Sequence, residues 1–322
     1  MIRPRFLPDN FTLLLIAVIT LASLWPAQGA VARGFEWLTT AAIALLFFLH
    51  GAKLSRAAVV AGISHWRLHL LVLGCTFALF PVLGLLLKPL FAAMLTPDLA
   101  LGMLFLCTLP ATVQSAIAFT AMARGNVSAA VCSASASSLI GVFITPLLVG
   151  WLVVPGGVSG AGELEAVGRI MLQLMLPFVL GQLLQPWVGG FVKKHAAGLK
   201  FVDQGSILLV VYTAFSAAVI EGLWKQVPLP ILLGVVVASC VLLALVLALT
   251  TRLGRLLGFS PEDQITIVFC GSKKSLASGV PMAKVLFAAP VVGVMLLPLM
   301  IFHQIQLMVC AVLAQRYAKR PI

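Results

Sequence analysis

The chain is short of charge, and of negative charge above all. Asp and Glu together number nine in 322 residues, and charged residues of both signs make up 9% of the sequence. A soluble domain carries about a quarter. Hydrophobic residues fill 61% and mean hydropathy is +1.14, so the bilayer has to supply most of this protein's solvent. Glu36 and Glu221 stand at the ends of apolar runs and the other acids read as loop residues, which leaves none at mid-depth. That excludes intramembrane aspartyl proteolysis and a proton relay built on a buried carboxylate. GxxxxGKS/T, HExxH, GxSxG and runs of metal-ligand histidines are missing too, and with them ATP hydrolysis and metalloprotease chemistry. No nucleophile, base and orienting group meet at one depth, so the chain reads as a non-enzyme without an organic cofactor.

The six cysteines lie inside apolar runs with no CxxC among them, so neither a disulfide framework nor a zinc site is indicated. The formal net charge of +12 does not point to nucleic acid. The basic residues sit singly or in small groups between apolar runs, as in loops that anchor helices in a lipid bilayer. Near the N-terminus, Arg3, Arg5, an apolar run and Ala27-Gln28-Gly29-Ala30 resemble a cleavable signal peptide. The repeat described next argues against cleavage, because loss of that run would break the symmetry.

A membrane helix needs about 20 mostly apolar residues. By that ruler the chain is an all-α polytopic membrane protein of ten spans, near 10–28, 35–52, 66–88, 98–123 and 126–154, then 164–190, 201–222, 228–251, 261–286 and 289–315. The two sets of five align at an offset near 160 residues. In the fourth span Pro110-Ala-Thr-Val-Gln-Ser115 interrupts the apolar run, and in the ninth Cys270-Gly-Ser-Lys-Lys-Ser275 does. Five is odd, so residues 155–322 form a second repeat inverted relative to residues 1–154. Paired broken helices in such a repeat point to a binding site at the midplane. Fourteen Lys and Arg fall on the side of the termini and five on the other, which places both termini in the cytoplasm of a bacterial inner membrane.

Three clusters carry the chemistry. Pro110 disfavours helix at the residue before it, so Thr112, Gln114 and Ser115 would open a half-helix whose positive end favours an anion; the alternative is a simple proline kink. In Gly271-Ser272-Lys273-Lys274-Ser275, two ammonium groups sit about a dozen residues from either end of an apolar span. A lysine at that depth costs roughly 2.5–3.5 kcal/mol and faces a cavity or a partner. Helical geometry lets only one of the two point into a site, and Lys273 is the favoured one. The third cluster is a stripe of small residues, Ser128, Ser133, Ser135, Ser137 and Ser138, read mainly as close helix packing with Ser133 and Ser137 as ion or substrate contacts. His303, Gln304 and Gln306 form its counterpart in the tenth span, and His50 reads as interfacial.

At these residues the chain resembles the bile acid:sodium symporter family, in particular its orphan branch of sodium-dependent transporters. The matching stretches are Phe47-Phe-Leu-His-Gly-Ala-Lys-Leu-Ser-Arg56, Leu109-Pro-Ala-Thr-Val-Gln-Ser115, Ala123-Arg-Gly-Asn-Val127, Thr145-Pro-Leu-Leu-Val149 and Cys270-Gly-Ser-Lys-Lys-Ser275. The resemblance implies a core of spans 3–5 and 8–10, crossed by the unwound fourth and ninth, and a panel of spans 1, 2, 6 and 7. It also implies two sodium sites, but the glutamate position of those sites is Phe269 here, the glutamine position is Lys273, and the fourth-span Ser-Asn pair is Ser115-Ala116. The expectation is a secondary transporter of a small organic anion in which the Lys273 ammonium takes an ion's place, near Gln114 and Ser115, with transport sodium-independent or coupled to protons. The alternatives keep a residual sodium site near Ser115 and Ser133, or make the protein a channel or a non-transporting membrane sensor.

Overall fold

The computed structural model describes residues 10–53, 65–153 and 161–320. Its helices in chain order are α1 (Asn10–Leu24), α2 (Gly29–Lys53), α3 (Trp66–Leu86), α4 (Lys88–Met94), α5 (Pro97–Thr108), α6 (Gln114–Met122) and α7 (Val127–Leu152). There follow α8 (Ala161–Lys194), α9 (Ala196–Ile220), α10 (Leu223–Gln226), α11 (Leu229–Leu256), α12 (Pro261–Gly271), α13 (Leu276–Leu286) and α14 (Ala289–Ala318). No strand occurs among the described residues. Among the described residues seven helices are long and apolar enough to cross a membrane: α2, α3, α7, the Leu174–Lys194 part of α8, α9, α11 and α14. The protein is therefore a multi-pass membrane protein. All six tryptophans are exposed, five of them by 60–80%, as expected of side chains that anchor helices at the lipid headgroups.

The regions read as fourth and ninth spans each form two short helices with a break between them. Proline sets the first break. It holds Leu109 extended (φ −72°, ψ 154°), so α5 ends at Thr108. The second break has no proline. α12 ends at Gly271, Ser275 is extended (φ −83°, ψ 111°), and its hydroxyl accepts the Ser278 N–H at 3.1 Å to start α13.

α2 and α8 cross at nearly backbone contact. A Cβ on Gly51 would stand 2.1 Å from the Phe178 carbonyl oxygen, and one on Gly181 2.0 Å from that of Phe48. Only glycine fits at either place, so the two helices are locked together. A third irregularity lies in α3, where Cys75–Leu79 form a π-turn and the Phe80 N–H bonds Cys75 O. The Thr76 carbonyl thereby loses its α-helical donor, and its next candidate, Pro81, has no N–H.

Candidate functional site

In lipid every freed backbone group needs a partner inside the protein, and the partners at the two breaks define the site. The breaks touch directly: Ser275 N–H donates to Pro110 O at 2.9 Å. Ser137 on α7 accepts the Ala111 N–H at 3.0 Å, and Thr145 donates to Thr108 O at 2.9 Å. Gln306 on α14 holds both polar groups of one peptide residue. Its Oε1 accepts the Lys274 N–H at 3.0 Å and its Nε2 donates to Lys274 O at 2.9 Å. A side-chain amide thus does what a neighbouring strand would do. His303, one turn before it, approaches Lys274 O at 3.4 Å and Gln306 at 2.9 Å.

Both lysines of the second break are fully buried, with no solvent exposure. The single inward lysine expected from helical geometry is not what the chain does. The pair lies in a non-helical segment, where neighbouring side chains can leave in different directions, and each finds its own partners. The Lys273 ammonium donates to Ser115 O at 3.0 Å and lies 3.8 Å from the Phe119 ring centre and 5.6 Å from that of Phe269. Phe269 stands where the resemblance leads one to expect a glutamate, so ring quadrupoles replace a carboxylate as the neighbour of this cation. Gln114 is not among the hydrogen-bond partners of Lys273.

Lys274 has the fuller shell. Its ammonium donates to Thr76 O at 2.8 Å, Cys107 O at 3.0 Å and Leu109 O at 2.6 Å, beneath the Phe80 ring at 4.1 Å. Three acceptors meet the three donors of an ammonium. Two of them are carbonyls at the negative end of α5, where a cation is favoured, and the third is the carbonyl orphaned by the π-turn. Sequence reasoning favoured Lys273; the Thr76 and Leu109 carbonyls that complete the Lys274 shell are 198 and 165 residues away in the chain.

A cavity of about 480 Å³ lies beside the breaks. Thr112, Gln114, Ser115 and Ser275 line it together with His303, and the first turns of α6 and α13 both reach it. Thr112 and Ser115 share a hydroxyl hydrogen bond of 2.7 Å. The remaining expected residues lie elsewhere. Gly271, Ser272, Lys273 and Lys274 are buried behind the cavity wall. Ser133 bonds His69 of α3 at 2.7 Å, Ser137 bonds the first break, and Gln304 accepts from Thr12 of α1 at 3.0 Å. Within the serine stripe it is Ser135 and Ser138 that line the cavity.

The opposite wall was not foreseen. It is made by α2, α8 and α9 and brings His50, Lys53, Phe178, Lys200, Asp203 and Gln204 to the cavity. His50, read as interfacial, is part-buried, bonds Leu46 O at 2.8 Å and lines the cavity. Asp203, taken as a loop residue, is on the first turns of α9 and pairs with Lys53. The signal was available: Asp203 is one of only nine acids and the sole one in the run 201–222 apart from Glu221 at its end.

A helical membrane protein with a cavity beside two touching helix breaks has the architecture in which secondary transporters bind their cargo. Comparison with known proteins makes this specific. Residues 9–319 match the model of the SBF-like CPA transporter family, and the chain belongs to that family. It is 68% identical to protein PA2026 of Pseudomonas aeruginosa over 99% of this chain and 96% of that one. It is 61% identical to YfeH of Escherichia coli, provisionally named a symporter, over 97% of this chain and 93% of the relative. With sodium/bile acid cotransporter 7 of Danio rerio it shares 27% identity over 96% of this chain and 93% of the relative. The protein is thus a membrane transporter of the symporter type and not an enzyme.

Proposed function

We propose that this protein is a secondary active transporter that carries a small organic anion across the bacterial inner membrane by alternating access. Its two buried ammonium groups stand where a coupling cation would otherwise bind. The observation that carries the reading is the pairing of a cavity walled by two half-helix N-termini with a lysine shell behind it. The N-terminal turns of α6 and α13 both line the cavity, and a helix N-terminus carries a positive dipole end that favours an anion. Lys53 and Lys200 add positive charge, while Phe11, Phe47, Phe178 and Leu139 offer apolar surface. A cargo with an acidic group and an apolar body matches that lining, and one relative is named for bile acid transport.

In this reading residues 1–154 and 155–322 are two inverted five-helix repeats, giving ten spans in all. α1, α2, α8 and α9 form a panel that moves against a core of α3–α7 and α11–α14. Both termini lie in the cytoplasm, and the cavity mouth near Lys53 and Lys200 faces that side. The Lys274 ammonium, held by three carbonyl oxygens, is the better stand-in for an ion, and Lys273 ties the second break to α6. Transport then needs no sodium. A channel would need a continuous polar path, whereas the polar groups here gather at the breaks and at one mouth.

Liposomes reconstituted with the purified protein alone test the reading. Uptake of radiolabelled amphipathic anions should saturate and should show counterflow, accelerated entry when unlabelled anion is inside. Flux linear in concentration would mean a channel, and no flux for any anion would mean a sensor.

A further inference from the structure

We infer, on the transport reading above, that Lys53 is the cavity's receptor for the substrate's acidic group and that Asp203 is a tethered competitor for it. The observation is an ion pair that is neither buried nor free. Lys53 closes α2, Asp203 lies two turns into α9, and the pair spans the cavity mouth with side chains 33% and 19% exposed. One carboxylate oxygen takes the ammonium. The other, Oδ1, is buried without a hydrogen-bond partner among the described residues. A desolvated carboxylate oxygen with no donor is unfavourable, so the pair is held less tightly than a fully satisfied one.

The surroundings fit an anion that arrives from outside. From α2 His50 faces the same space, with its Nδ1 engaged by Leu46 O. From α9 come Lys200 and Gln204, and from α14 His303. The other elements lining the cavity contribute hydroxyl, amide and apolar groups, and Asp203 is the only carboxylate among the described residues that line it. With the histidines neutral, the two lysines less the one aspartate leave the cavity a single positive charge. An incoming carboxylate or sulfonate presents Lys53 with the same acceptor that Asp203 does, and it brings an apolar body to occupy the walls. Asp203 thereby sets both the threshold for binding and the preference for a monoanion. Its departure to its own side of the mouth frees Lys53 to close on the cargo.

The test measures saturable binding to the full chain in nanodiscs at pH 8, with empty nanodiscs as the blank. The probes are octanesulfonate, a monoanion, and octyl phosphate, a dianion at that pH. Asp203→Asn should lower the melting temperature yet bind octanesulfonate roughly fivefold tighter, the scale of a half-exposed ion pair, and should gain more for octyl phosphate. Lys53→Gln should lose at least that factor for both probes, and the double variant should bind like Lys53→Gln. If Asp203→Asn loses affinity along with stability, the pair merely holds α2 to α9 and the inference is wrong. Probe binding indifferent to both substitutions also overturns it, while leaving anion transport intact. No saturable binding to any of the proteins would remove this inference and the organic-anion reading together.

Discussion

Replacing Lys274 by methionine keeps the length and bulk of the side chain and removes its donors. Three carbonyls, those of Thr76, Cys107 and Leu109, then lose a partner at 2.6–3.0 Å. None has a ready substitute: Thr76 O is followed by the π-turn and Pro81, and the other two close α5 ahead of Pro110. An orphaned buried acceptor costs about 1–3 kcal/mol. Three such acceptors outweigh the relief of no longer desolvating an ammonium, so the net loss is about 3–5 kcal/mol. For a chain of this length that corresponds to roughly 4–7 °C in melting temperature. Lys273→Met, which gives up one carbonyl bond and its ring contacts, should lose about 1–3 kcal/mol. Melting of the detergent-purified proteins by fluorescence-detected size exclusion reads both. If Lys274→Met melts with wild type, or Lys273→Met is the worse of the two, the three-carbonyl shell is not what holds the breaks together.

Other consequences follow from the same geometry. Gly181→Leu forces a side chain into the Phe48 carbonyl and should abolish stable expression, scored as monodisperse yield after solubilisation. Gln306→Leu removes both amide bonds to Lys274 and leaves its N–H orphaned; about 2–4 kcal/mol of stability should go, and the melting temperature should fall by several degrees. Glu36→Gln, by contrast, removes only the 3.6 Å contact to Lys284, in which Glu36 is 56% exposed. Such a pair is worth about 0–1 kcal/mol, so its melting temperature should stay within about two degrees of wild type.

How far the sequence reveals this molecule depends on the range of the interactions involved. Hydropathy alone marks each apolar helix, because a span is a local property, and Pro110 announces the first break through its effect on Leu109. The second break is visible only as polarity. Nothing near Gly271 says that Gln306 will clasp Lys274, or that a π-turn in α3 will leave Thr76 O waiting for it. The cavity is harder still. Thr112, Gln114, Ser115 and Ser275 were readable because they flank the breaks. The facing wall comes from helices whose sequences around His50 and Asp203 look like ordinary span ends. The serine stripe shows the same limit at one-residue resolution. Its composition was evident, but whether Ser133 and Ser137 or Ser135 and Ser138 meet the cavity depends on how α7 is rotated against α3 and the first break.

The central claim is that organic anions cross the membrane through this protein without sodium, because lysine ammonium groups occupy the ion positions. Uptake of a radiolabelled amphipathic anion into liposomes holding only the purified protein tests it, with all sodium replaced by potassium at matched ionic strength. Saturable uptake at an unchanged rate in potassium is the predicted result. Uptake that appears only when sodium is restored would contradict the claim and return the lysines to a purely structural role.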